Sequence, residues 1–157
     1  MPVSKSLVEH VSLIREVVIS TVEAMPEDKL GYTPGENCRP FRDIALHIAK
    51  ARWNLSNMLS GQTDAPARGF QAGTKAELLA LLREGQEQCR RVLAAVTEDQ
   101  LTKVHTVGIG ERTGLDVVHL MLMHEADHHG NLVVLAKLCG VSPPDLREAS
   151  KAALAKA

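Results

Sequence analysis

The sequence predicts an all-α protein, a four-helix bundle with one longer crossover connection and a short C-terminal helical tail. Three observations carry this expectation. Four segments repeat apolar residues at steps of three and four, no segment shows the period-two alternation of a half-buried strand, and the links between segments are rich in Pro and Gly. Residues 1–145 are expected to form the single bundle domain, and 146–157 a tail that is helical or frayed.

The first helix is expected from about Ser4 to Ala24, with Leu7, Val11, Ile14, Val18 and Val22 on one face, and Pro26 closes it. The link "EDKLGYTPGENCRP" holds two prolines and two glycines and reads as a loop. A second helix starts near Pro40, because the first turn needs no donor there, and runs to about Ser60 ahead of Gly61. Its apolar stripe is Ile44, Ile48, Ala51, Leu55 and Met58 or Leu59. The polar link "GQTDAPARGFQAG" is long for a tight antiparallel turn and is expected to be the crossover. Thr74 with Glu77 three residues on forms a capping box that starts the third helix, and Thr97 with Gln100 starts a short turn before the loop "LTKVHTVGIGERTG".

The fourth helix, about Leu115 to Leu138, differs from the others because "LDVVHLMLMHEADHHGNLVVLAKL" is apolar nearly all round. Such a helix is either central or covered by a second subunit, and a homodimer through it and part of the first helix is expected. Gly140 ends it, followed by Pro143 and Pro144. The tail "DLREASKAALAKA" has high helix propensity and a thin apolar face.

Composition excludes several classes of function. The formal charge of the 157 residues is −1 and aromatic residues are 3%, so the basic footprint and stacking platforms of a nucleic-acid binder are both missing. No apolar run approaches the ~20 residues of a membrane helix, and Glu9, His10, Arg15 and Glu16 interrupt any secretory leader. A cytoplasmic protein without membrane or nucleic-acid partners is expected. Cys38, Cys89 and Cys139 are odd in number and widely spaced, which argues against a disulfide framework or a zinc ribbon.

The chemistry sits in "HEADHHG". His124 and His128 are at i and i+4, so they share a helix face with Cβ atoms roughly 6 Å apart, near enough for both rings to meet one ion. Taken alone the pair is as well explained by hydrogen-bonded core histidines. His47 changes the balance. It stands between Ile44 and Ile48 on a face that otherwise buries aliphatic groups, and a buried imidazole without partners costs about 1 to 3 kcal/mol. One divalent ion shared by His47, His124 and His128 would satisfy all three rings.

Asp43, one turn before His47, can accept the other ring N–H and fix the tautomer, or can be an ordinary first-turn charge. Asn131, at i+3 from His128, can orient a water or substrate, or make a buried helix–helix hydrogen bond. Arg39 and Arg42 flank the start of the second helix, where they can hold a substrate carboxylate or remain solvated charges. His10, His105, His119 and His129 have no partner at ligand spacing and are expected to be structural or surface residues.

H-E-x-x-H would make Glu125 the general base of a zinc protease. That reading fails on three counts. Asn131 and Val134 stand where the extended motif needs Gly and His, and the other class would need Glu148 as a ligand, beyond a Gly and two prolines. No strand is expected to hold an extended peptide.

"FRDIALHIAKARWNLSNMLSG" followed by "VVHLMLMHEADHHGNLVVLAKLCGVSPP" resembles the DinB or YfiT-like superfamily, with a histidine on the second helix and H-x-x-x-H on the last. The resemblance covers roughly residues 5 to 145. It implies a four-helix bundle with one long crossover, often dimeric, holding nickel or zinc through His47, His124 and His128. Many relatives have H-R-G-Q after the last ligand, where this chain has His129, Gly130 and Asn131, so any role of that arginine does not carry over.

Three neutral imidazoles leave such an ion its full charge and an open position that can acidify water or a thiol. The superfamily includes transferases dependent on glutathione, mycothiol or bacillithiol and a thiol-dependent maleylpyruvate isomerase. The resemblance therefore implies a small-molecule substrate and a low-molecular-weight thiol cosubstrate. A metal-dependent hydrolase and a non-catalytic bundle with a structural metal are the alternatives.

Overall fold

The computed structural model describes residues 5–67, 69–145, 147, 148 and 151, with side chains from residue 8 onward, and most of the expected tail lies outside these. Four long helices, α1 (Lys5–Ala24), α2 (Phe41–Ser60), α3 (Lys75–Ala95) and α5 (Gly114–Leu138), make the bundle, and a one-turn helix α4 (Glu98–Thr102) precedes α5. A 3₁₀ turn, Glu27–Lys29, lies in the first link.

Local sequence sets each boundary. The expected capping boxes at Thr74 and Thr97 form, and a third, Thr113 with Asp116, starts α5. Pro40 precedes α2, and Gly61 ends it in the left-handed region at φ 74°. Gly140, at φ 78°, follows α5 and donates to the Lys137 carbonyl.

Around the bundle the packed neighbours run α1, α3, α2, α5. Apolar residues form two core clusters stacked along the axis. One holds Val18, Val22, Ile44, Ile48, Leu78, Leu82, Leu132 and Leu135, and the other holds Val11, Leu59, Cys89, Leu93, Val117 and Met121. The order in which each helix visits the two clusters gives its direction: α1 and α5 run one way, α2 and α3 the other. The parallel neighbours α2 and α3 are therefore joined by a link that returns along the bundle, which is the expected crossover. Pro66 is buried on its way, and Ala72 packs on the far cluster.

One expectation needs correction. The segment expected as loop contains a hairpin, β1 (Val104–Val107) and β2 (Gly110–Thr113), paired antiparallel from Val104 opposite Thr113 to Val107 opposite Gly110. Its strands have four residues each and lie mostly in solvent, so no apolar alternation announces them. The signals present are the β-branched residues and Gly110, which takes the left-handed position at φ 101° just after the turn at Gly108 and Ile109. The other helices do not cover α5 all round, as its apolar sequence leads one to expect. Met123, Val134 and Leu138 are exposed along one side of it, at 69%, 57% and 57%.

Candidate metal centre

His47 on α2 and His124 and His128 on α5 come together in the groove between these helices. One ring nitrogen from each lies within 4.8 Å of the other two, and His47 Nε2 is 2.9 Å from His124 Nε2. Ring centroids are 4.4 to 4.8 Å apart, with two pairs close to edge-on at 86° and 78°, so the rings converge on a point and do not stack.

The donor set fits a divalent ion. Three nitrogens at about 2.0–2.1 Å from one tetrahedral ion would stand about 3.4 Å from one another, a change that side-chain rotation can supply. All three residues are partly buried, and His124 Nδ1 is buried without a hydrogen-bond partner. Burial, followed by the neighbouring His128 and His47, lowers the His124 pKa to about 4. Burial also lowers that of His47, helped by His128, Arg39 and Lys50. Both rings are thus neutral at physiological pH, the protonation state a metal ligand requires.

The histidines open on a cavity of about 640 Å³, whose walls include Ile44, Val134, Leu135, Pro34 and Cys38. Arg39 and Asn131 line it as well. Arg39 is exposed at its rim, with no acidic partner among the described ion pairs. A smaller cavity, about 380 Å³ and lined by Ser60, Gln88 and Arg91 among others, lies away from the histidines.

The remaining candidates divide. Asn131 is exposed and faces the histidine cavity, so the alternative of a buried helix–helix hydrogen bond does not hold. Asp43 is exposed and stands 3.9 Å from Arg42 Nε, and makes no described hydrogen bond to His47. Arg42 itself is turned to Asp43 and does not line the cavity. The acidic group beside the cluster is instead Asp127, whose Oδ2 is 3.8 Å from His128 Nδ1.

His129 is structural. Thr21 gives its hydroxyl hydrogen to the Val17 carbonyl at 2.9 Å, so the 3.1 Å contact between Thr21 Oγ1 and His129 Nε2 has the ring donating. This bond joins α5 to α1. His10 and His119 are exposed, and His105 lies on the hairpin opposite Arg112.

Glu125 cannot serve as a protease base. About 100° around the helix from His124, its carboxylate points to the bundle axis and is held by Arg15 and Arg52. Burial alone would raise its pKa, but the two guanidinium charges outweigh that and hold it below the ordinary value. Sequence reasoning missed this buried trio, although each member occupies a stripe position: Arg15 is four residues after Val11, Arg52 four after Ile48, and Glu125 four after Met121.

Comparison with known proteins agrees with this architecture. The sequence model of the DinB superfamily matches residues 10–132. The uncharacterized protein YjoA of Bacillus subtilis (strain 168) is 26% identical over 140 residues, covering 87% of this chain and 91% of YjoA. The crystal structure of YjoA superposes with a TM-score of 0.75 at 24% identity, over 90% of this chain and 98% of that one. YfiT from Bacillus subtilis, described as a probable metal-dependent hydrolase with an unusual four-helix bundle topology, superposes with a TM-score of 0.69 at 17% identity, over 90% of this chain and 93% of its own.

Proposed function

The chain belongs to the DinB superfamily, and on that premise we propose that His47, His124 and His128 hold one divalent ion, zinc or nickel, in an enzyme that acts on a small electrophile. The observation that carries this reading is the convergence of three imidazoles on one point beside a cavity of about 640 Å³. A buried structural ion has no use for such an opening, whereas a catalytic site must keep a position free for substrate or nucleophile.

Bound there, the ion would act as a Lewis acid and lower the pKa of a thiol or water at its free position. The residues of the chain supply the rest. The neutral histidines leave the ion's charge undiminished. Ile44, Val134 and Leu135 offer an apolar wall, Arg39 offers a guanidinium at the rim, and Asn131 offers an amide on the histidine side. This lining fits a small organic acid with an apolar body, its carboxylate toward Arg39.

For the nucleophile, the resemblance noted above favours a low-molecular-weight thiol and S-transfer. The description of YfiT favours hydrolysis as the second reading. A matched screen separates them: metal-loaded protein with glutathione, bacillithiol and mycothiol against small electrophiles, beside a panel of esters and amides. Turnover only with thiols supports transfer, turnover only in the second panel replaces it with hydrolysis, and turnover in neither overturns the enzymatic reading.

No helix among the described residues is long and apolar enough to cross a membrane, and a cytoplasmic setting for the enzyme is part of the proposal. So is a homodimer seated on the exposed Met123 and Leu138 of α5. A monomer by light scattering at micromolar concentration would count against the dimer.

A further inference from the structure

Between the two apolar clusters the bundle has a charged waist. Arg15, Arg52 and Glu125 are 1%, 1% and 2% exposed. Glu125 Oε1 accepts from Arg15 Nε at 3.1 Å, and Oε2 accepts from Arg52 Nε at 3.1 Å and Nη2 at 2.9 Å. The remaining arm of Arg52, Nη1, donates to the Leu82 carbonyl of α3 at 2.9 Å. One carboxylate therefore links α1, α2 and α5 directly, and α3 through Arg52. Gly85 makes room for this on α3, since a Cβ there would lie 3.4 Å from Arg52 Cβ and 3.3 Å from Trp53 Nε1.

Stability alone is a poor account of the trio. Buried ion pairs gain little over apolar residues of the same volume, because desolvation offsets the attraction. The arrangement also leaves Arg15 Nη2 buried without a hydrogen-bond partner. Position in the chain suggests a different use. Arg52 follows His47 by five residues on α2, and Glu125 adjoins His124 on α5. Apolar side chains tolerate a small slide or roll of one helix on another, whereas a buried carboxylate with a guanidinium on each oxygen does not.

We propose that Glu125, gripped by Arg52 and Arg15, is a positioning residue for the three-histidine site: it sets the axial and rotational register of α5 on α2, so that His124 and His128 meet His47. This rests on the metal reading above. A ligand set must be held to within about 0.5 Å to bind well, and the waist supplies that constraint less than two helical turns from every ligand.

Cobalt(II) is the probe, read by titration and by its visible absorption spectrum, with circular dichroism confirming the fold. Glu125→Gln keeps the shape and removes the charge; Arg52→Lys keeps the charge and removes the fork. Both are expected to weaken cobalt binding on the order of 10- to 100-fold and to alter the spectrum. Leu93→Ala, a core truncation on α3 with no part in the waist, is the control for general destabilisation and should bind cobalt as the unsubstituted protein does. Wild-type affinity and spectrum in both waist variants, or equal weakening in Leu93→Ala, would overturn the proposal while leaving the metal reading intact. Failure of the unsubstituted protein to take up cobalt would instead overturn the metal reading itself. Should Glu125→Gln not fold, Arg52→Lys decides.

Discussion

His47 and His124 present their Nε2 atoms to each other at 2.9 Å across the α2–α5 groove, 77 positions apart in the chain. A hydrogen bond at that distance needs one ring to donate and the other to accept, whereas an ion held through both Nε2 atoms needs a lone pair from each. Binding an ion through both Nε2 atoms requires one of them to give up that proton or pass it to its other nitrogen. Ion binding is therefore coupled to proton movement.

From this follows a stability change on loading. Zinc or nickel at about 100 times its Kd should stabilise the protein by about 2.7 kcal/mol, raising Tm by roughly 5–10 °C for a domain this size. A chelator should reverse the shift. In His124→Ala or His128→Ala the shift should vanish while helical content is retained, because the two apolar clusters that hold the bundle are untouched. Calorimetry with and without metal checks both.

The depressed His124 and His47 pKa values fix a direction for pH. A histidine that is harder to protonate folded than unfolded binds more protons in the unfolded state as pH falls below about 6.5, so stability drops with falling pH. For His124 the loss should develop between the ordinary value and about 4. Urea midpoints of metal-free protein across that range should fall, and the slope should lessen in His124→Ala. Metal affinity should weaken over the same window as protons compete for the rings.

Arg39 and Arg42 should behave differently although both flank the start of α2. Arg39 lines the histidine cavity, whereas Arg42 stands beside Asp43. Small apolar carboxylates, benzoate for example, should perturb the cobalt spectrum, and Arg39→Ala should weaken that effect by about tenfold, the ordinary worth of a charged hydrogen bond. Arg42→Ala should leave it unchanged. Equal behaviour of the two variants would remove Arg39 from the binding site.

Gly114 offers a test of the connection that delivers α5. A Cβ at this position would lie 2.1 Å from the Gln100 carbonyl oxygen and 3.0 Å from Leu101 Cα, both backbone atoms. Gly114→Ala should cost about 1–3 kcal/mol as α4 is pushed from α5, measured by chemical denaturation. Gly130→Ala, where nothing lies within 4 Å of the added Cβ, should cost nothing or stabilise the helix.

Much of this molecule is legible in its sequence because the signals are local. The boxes at Thr74 and Thr97, Pro40 before α2 and Gly61 after it all state helix ends in a few residues. The metal candidates are legible because an imidazole among Ile44 and Ile48 is out of place unless something binds it. The waist is not, since a single charge at a stripe position, as Arg15, Arg52 and Glu125 each are, does not name its partner until all three are seen together. The hairpin escaped because strands this short and exposed carry no periodic burial. Asp127 escaped because proximity to His128 Nδ1 depends on a side-chain setting that spacing does not fix.

The direction of the helices also governs when the histidines can meet. Because α2 and α3 run parallel, they cannot zip together as a helical hairpin, and α1 finds its neighbour α5 only after residues 25–113 have been threaded between them. Pairings so distant in sequence are slow to form relative to those of an up-and-down bundle. A nascent chain that has made α2 still lacks two of its three imidazoles. On the proposed reading, metal acquisition would thus be a late event in the life of the polypeptide, and an ion offered early would find no complete set of donors to capture it.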